Sequence, residues 1–189
     1  MSGSVEEKLY EAAEDGRVSA VSSLLRHPEI NVNWTNEDHW TPLHAASWNG
    51  HVEVVKLLLA HPNIDVNVRN EYGETPLSLG CEYGHVSVVE VLLKDPRVDL
   101  TLDDIDGCTP LWWASYEGHH KVIESLLASG RDLGDVREYT TLEITREKEK
   151  HREFVSVLER FVANPTLTRR KKLNFKGLLL FPFSFFGSV

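Results

Sequence analysis

The chain has 189 residues, 41% of them hydrophobic and 26% charged, which is one ordinary globular domain's worth of material and argues against disorder as the main state. Twenty Lys and Arg face 29 Asp and Glu, a formal charge of −9, the wrong sign for a protein held by phosphate contacts, so no nucleic-acid partner is expected. The charge is uneven: the first 161 residues hold 15 bases against all 29 acids and carry −14, whereas residues 162–189 have no acid and five bases, Arg169, Arg170, Lys171, Lys172 and Lys176.

The first residues, Met-Ser-Gly-Ser-Val-Glu-Glu, lack the basic region and apolar run of a secretory signal, and no stretch reaches the ~20 apolar residues of a membrane helix. A cytoplasmic chain is expected, with the nucleus as the alternative. Cys81 and Cys108 show no C-x-x-C spacing. Neither a disulfide framework nor a zinc ribbon can be built from them, and both read as reduced thiols. In that compartment the sequon Asn33-Trp34-Thr35 is formal only.

In chain order, the segment from Leu9 to Gly16, with Val18, Val21, Leu24 and Leu25 after it, reads as a first helix pair. The next pair opens at Thr41-Pro42-Leu43, and the same triplet returns at Thr75 and Thr109, a period of 34 residues. Pro42, Pro76 and Pro110 suit the first turn of a helix, where a missing N–H has no partner to lose, and the threonine before each can cap it. Gly50, Gly84 and Gly118, each followed by histidine, close that helix with a residue that accepts positive φ. Apolar residues then recur at helical spacing, as in Val54, Val55, Leu57 and Leu58 or Val88, Val89, Val91 and Leu92, so a second helix buries one face.

Pro62 and Pro96 stop those second helices. Short extended pieces follow at 64–68 and 98–102, then turns at Tyr72-Gly73 and Asp106-Gly107. Beyond the third triplet, Thr140-Thr141-Leu142 and the apolar Phe154, Val155, Val157 and Leu158 outline a last unit that lacks the turn glycine.

This pattern resembles the ankyrin repeat, whose Thr-Pro-Leu-His-x-Ala signature is nearly literal at Thr41-Pro42-Leu43-His44-Ala45-Ala46. The family period is ~33 residues, and the extra residue falls in the loops 60–64 and 94–98. The resemblance implies an all-α solenoid of stacked helix-turn-helix units with short β-hairpin turns. It divides the chain into an ankyrin-repeat domain over 1–161 and a basic, apolar C-terminal tail over 162–189. Within the domain it implies an N-terminal cap repeat at about 5–38, repeats at about 39–72, 73–106 and 107–137, and a degenerate C-terminal cap at about 138–161.

Function in such a scaffold has to be argued from its concave surface, since the fold alone names none. The resemblance places the variable contact positions beside the turn before each triplet and just before each Gly-His. In this chain they are Glu37, Asp38, Trp40, Trp48 and Asn49; then Arg69, Glu71, Tyr72, Glu74, Glu82 and Tyr83; then Asp103, Ile105, Asp106, Cys108, Tyr116 and Glu117. Eight carboxylates, two tryptophans and three tyrosines stand there against one arginine. Aromatics with a polar edge anchor protein interfaces, and carboxylates favour a basic partner, so a basic peptide or protein is the expected ligand of a monomeric binding module. The alternative is that acidic tips only keep the chain soluble.

The nine histidines read as structural: the resemblance gives His44, His51, His85 and His119 hydrogen bonds within and between repeats, and no H-E-x-x-H spacing argues for a metal. Trp113, in register with Ala45 and Leu79, is expected in the core, with Trp112 packing between repeats. No phosphate loop or nucleophile elbow occurs, so no enzyme, cofactor or metal chemistry is expected. The resemblance also marks Asn67 as a site of asparaginyl hydroxylation, because Leu59 stands eight residues before it in Asp65-Val66-Asn67; Asn33 fits less well.

The tail combines Arg169-Arg170-Lys171-Lys172 with an apolar run from Leu178 to Phe186, too short to span a bilayer and broken by Pro182. It reads in three ways: a membrane-surface or self-associating anchor, a segment packing on the last repeat or on the acidic face, or an exon-boundary artefact without a selected role.

Overall fold

A computed structural model describes residues 3–133. They form eight helices in four pairs: α1 (Val5–Glu14) with α2 (Val18–Leu24), α3 (Pro42–Trp48) with α4 (Val52–Leu59), α5 (Pro76–Glu82) with α6 (Val86–Lys94), and α7 (Pro110–Tyr116) with α8 (His120–Ser129). The first helices α1, α3, α5 and α7 pack side by side in one row, the second helices α2, α4, α6 and α8 in another, and the partners of each pair pack across. This is the all-α helix-turn-helix solenoid that the period implies.

The local causes repeat. Thr41, Thr75 and Thr109 each accept the N–H three residues on (His44, 3.3 Å; Ser78, 3.2 Å; Trp112, 3.3 Å), with proline at the first helical position. Gly50, Gly84 and Gly118 follow the helix ends at φ 75°, 71° and 75°. The second helices have no side-chain cap, because the residue in the cap position of α4, α6 and α8 is a histidine turned back toward the preceding pair.

The core is one continuous apolar strip between the rows, including Leu9, Val21, Leu43, Val54, Leu58, Leu77, Val88, Leu92, Leu111, Ile123 and Leu126, all at most 2% exposed. Each helix alone is short, so neighbours must supply its buried face.

The expected β-hairpin turns take a different form: among the described residues there is no strand. Each tip closes on a pair of backbone bonds: Asn36 N–H to the Trp40 carbonyl (3.1 Å) and His39 N–H to that of Asn36 (3.1 Å), Asn70 to Glu74 (3.0 Å) and Gly73 to Asn70 (3.0 Å), Asp104 to Cys108 (3.1 Å) and Gly107 to Asp104 (3.1 Å). The pieces at 64–68 and 98–102 bury Val66 and Leu100 but form no ladder, because asparagine side chains take up their backbone groups. Asn33 donates to the Asn63 carbonyl (2.8 Å) and accepts from Asp65 N–H (2.8 Å); Asn67 does the same with Arg97 (2.8 Å) and Asp99 (2.8 Å). The degenerate cap over 138–161 and the tail over 162–189 lie outside the described residues.

Candidate functional site

One side chain shapes each tip. Asn36 Oδ1 accepts the N–H groups of Asp38 (3.1 Å) and Trp40 (2.8 Å), Asn70 Oδ1 those of Tyr72 (3.0 Å) and Glu74 (2.9 Å), and Asp104 Oδ1 those of Asp106 (3.0 Å) and Cys108 (2.8 Å). These residues stand 34 apart; the triplet frame does not reveal them, although their spacing and Asx-turn chemistry could have. Neighbouring tips are tied by Glu71 N–H to the Asp38 carbonyl (3.3 Å) and Ile105 N–H to the Tyr72 carbonyl (3.0 Å).

Glu37, Asp38, Glu71, Tyr72, Asp103, Ile105 and Asp106 therefore form an exposed rim, with Ile105 68% exposed. Tyr72 is held next to Glu71, whose carboxylate raises the phenol above its usual range. Arg69 bridges two tips: Nε donates to the Gly73 carbonyl (3.0 Å), and one terminal nitrogen donates to the Asp103 carbonyl and lies 3.8 Å from its carboxylate.

Above the rim the aromatic residues meet. Trp40 precedes α3, Trp48 ends it, and Tyr83 caps α5. Trp40 and Trp48 pack edge to face at 5.7 Å, as do Trp48 and Tyr83 at 5.7 Å, so one aromatic run crosses from one helix pair to the next. Trp48 is 38% exposed and Tyr83 47%. A second group sits on α7, where Trp112 and Tyr116 lie parallel at 4.8 Å. Asn49 is exposed, but its Nδ2 donates to the Ala45 carbonyl of its own helix (3.0 Å).

Trp113 departs from the core position expected for it: it is half-buried and donates from Nε1 to Asp104 Oδ2 (2.8 Å), whereas Ala45 and Leu79 are buried at the equivalent positions. The buried Asp104 carboxylate holds the indole at the tip.

Carboxylates concentrate where α5 meets the two neighbouring tips. Glu82 and Glu74 are half-buried and hydrogen-bond to each other, and Asn70 Nδ2 donates to Glu74 Oε2 (2.7 Å). Burial first, then the nearby Glu74, Glu117 and Asp104, pushes Glu82 up to about 7. Burial also raises Glu74, with Asp104 adding to it and Asn70 opposing. Glu117, exposed after α7, completes this patch.

Four of the histidines hydrogen-bond within or between helix pairs. His51 donates from Nε2 to the Glu14 carbonyl (2.9 Å), His85 to Trp48 (2.7 Å) and His119 to Glu82 (2.8 Å), each reaching back one pair. His44 is fully buried; Nε2 donates forward to the Glu74 carbonyl (3.1 Å), while Nδ1 accepts from Thr41 N–H (3.1 Å) and Oγ1 (2.8 Å). Burial drives its pKa down to about 4, so the ring is neutral at physiological pH. Two arginines that follow second helices cap the end of the preceding pair: Arg97 donates to the Leu59 carbonyl (3.0 Å), and Arg131, 34 residues on, to those of Asp95 (3.0 Å) and Val98.

The model of the family described as Ankyrin repeats (3 copies) matches residues 6–70 and 62–137, well over half of the chain. The chain belongs to the ankyrin-repeat family, whose repeats are protein-interaction modules, typically without catalysis. It is similar to the ankyrin repeat protein YahD of Escherichia coli (strain K12), 55% identical over 38 residues, which are 20% of this chain and 19% of YahD; the chain thus spans about a fifth of that relative's length. No helix among the described residues is long and apolar enough to cross a membrane.

Proposed function

We propose that this chain is a monomeric, non-catalytic binding module of the cytoplasm or nucleus. Its ligand is an extended basic peptide or basic protein surface, taken on the concave face formed by the tips and the exposed sides of α3, α5 and α7. The observation that carries this is the run Trp40–Trp48–Tyr83, packed edge to face and open to solvent at Trp48 and Tyr83, on the same side of the helix row as the partly buried Glu82, which precedes Tyr83 in the chain. Rigid aromatics bury area at low entropic cost, and partly desolvated carboxylates bond charged donors more strongly than exposed ones. The division into a cap repeat, three repeats, a degenerate cap and a tail is part of the same reading, as is hydroxylation of Asn67, which intact mass of protein from its native cell tests through one added oxygen.

Titration with a fluorescent oligo-arginine peptide tests the face. Trp48→Ala and Tyr83→Ala are each expected to weaken binding about tenfold, and raising salt to weaken it further. Unchanged affinity in both variants refutes the reading.

A further inference from the structure

We propose that the segment 169–186 of this same chain occupies the acidic, aromatic face in its own molecule, as an internal competitor of the external partner. The inference rests on the reading above, that this face takes basic ligands.

Charge complementarity is the first argument. Among the described residues the ion pairs engage Asp15, Glu53, Asp95 and Asp103, while Glu71, Glu82 and Glu117 on the face meet no lysine or arginine within that set. The segment supplies what these lack: five bases, no acid, and then Phe181, Phe183, Phe185 and Phe186 to set against the exposed Trp48 and Tyr83. A basic run followed by aromatics mirrors carboxylates beside an aromatic run, so both parts of the segment have a counterpart.

Reach is the second. Thirty-five residues separate Leu133, buried where the described chain ends, from Arg169, and the cap proposed at 138–161 takes up 24 of them. The seven residues from 162 to 168 span at most about 25 Å, the length of two to three helix pairs stacked at about 10 Å each. The segment therefore sees the face at an effective concentration of about millimolar, enough to hold a weak intramolecular contact against a dilute partner. Charges opposed across the contact make it salt-sensitive.

Zero-length carbodiimide coupling of the full chain, with linked peptides mapped by mass spectrometry, is the test. Expected are links from Lys171, Lys172 and Lys176 to Glu71, Glu82 and Glu117, at a yield independent of protein concentration and lost in about 0.5 M salt. Equal linkage to Glu53, Glu90 and Glu124 on the second helices overturns the proposal. So do mixed-isotope links in a labelled and unlabelled mixture, which assign the segment to a second copy. Absence of links together with co-sedimentation with phosphatidylserine vesicles assigns it to a lipid surface and overturns the proposal equally. A second arm uses the full chain carrying Arg169→Glu, Arg170→Glu, Lys171→Glu and Lys172→Glu, which is expected to bind oligo-arginine about tenfold more tightly than the parent. Equal binding by parent and variant overturns the internal competitor and leaves the face intact as a binding site; no binding by either overturns the face itself.

Discussion

His85 donates from Nε2 to the carbonyl of Trp48, 2.7 Å away in the preceding helix pair, and its ring lies against Gly50. A Cβ on Gly50 would stand 2.6 Å from His85 Nδ1, on a backbone at φ +75°. One imidazole thus couples the end of α3, the placement of Trp48 and the start of α6.

That coupling makes a double-mutant prediction. Gly50→Ala is expected to cost about 2–3 kcal/mol, from left-handed strain plus the clash with the ring, and His85→Ala about 1–1.5 kcal/mol from the lost bond. In the double variant the clash has no partner, so the sum is not reached. Urea unfolding of the three variants checks this by a coupling energy of about 1 kcal/mol.

His44 predicts an acid-sensitive stability. Its pKa in the folded chain, about 4, lies below the ordinary 6.5 of an unfolded histidine. Between those values the unfolded chain binds more protons, so the stability is present in full above about pH 6.5 and drains as pH falls toward 4, by up to about 3 kcal/mol. His44→Ser, which copies Ser78 one repeat on, is expected to flatten that slope in urea unfolding between pH 4.5 and 7.

Glu82 predicts the opposite slope. Its folded pKa of about 7 exceeds the usual carboxylate value, so the folded chain holds the extra proton and stability declines as pH rises from about 4.5 through 7. With the discount its partial exposure requires, Glu82→Gln is expected to gain about 0.5–1 kcal/mol at pH 8 and little at pH 4.5. The same titration is expected to strengthen oligo-arginine binding between pH 6 and 8 in the parent and not in Glu82→Gln, measured by fluorescence anisotropy.

Asn67 predicts a stability loss from exchanging one side-chain NH2 for an oxygen. Asn67→Asp keeps the acceptor for Asp99 N–H but loses the donor to the Arg97 carbonyl and sets a carboxylate against it. A loss of about 1–3 kcal/mol is expected, read as a lowered midpoint in thermal unfolding.

The helix starts and stops were legible because Thr-Pro and Gly-His act within four residues of themselves: caps and positive-φ ends are local chemistry. The exposed positions of Glu37, Glu71 and Ile105 were legible through the same 34-residue register. What escaped depends on residues outside the triplet's own helix. Glu82 titrates high through burial first, then through Glu74 and, 35 positions on, Glu117, and Trp113 leaves the core because Asp104, nine positions before it, belongs to a tip. His39 escaped for another reason: it adopts φ 60° where Gly73 and Gly107 stand in the later tips, and the side chain gives no sign of it.

The bonds that join one helix pair to the next, through His51, His85, His119, Asn33, Asn67, Arg97 and Arg131, link residues only 30 to 38 positions apart. Such a molecule has low contact order for its length. Folding can start at any pair and spread to its neighbours without closing a long loop. Pulled by its two ends, it is expected to lengthen in steps of about one repeat, since each interface carries its own set of bonds and none is shared with a distant pair.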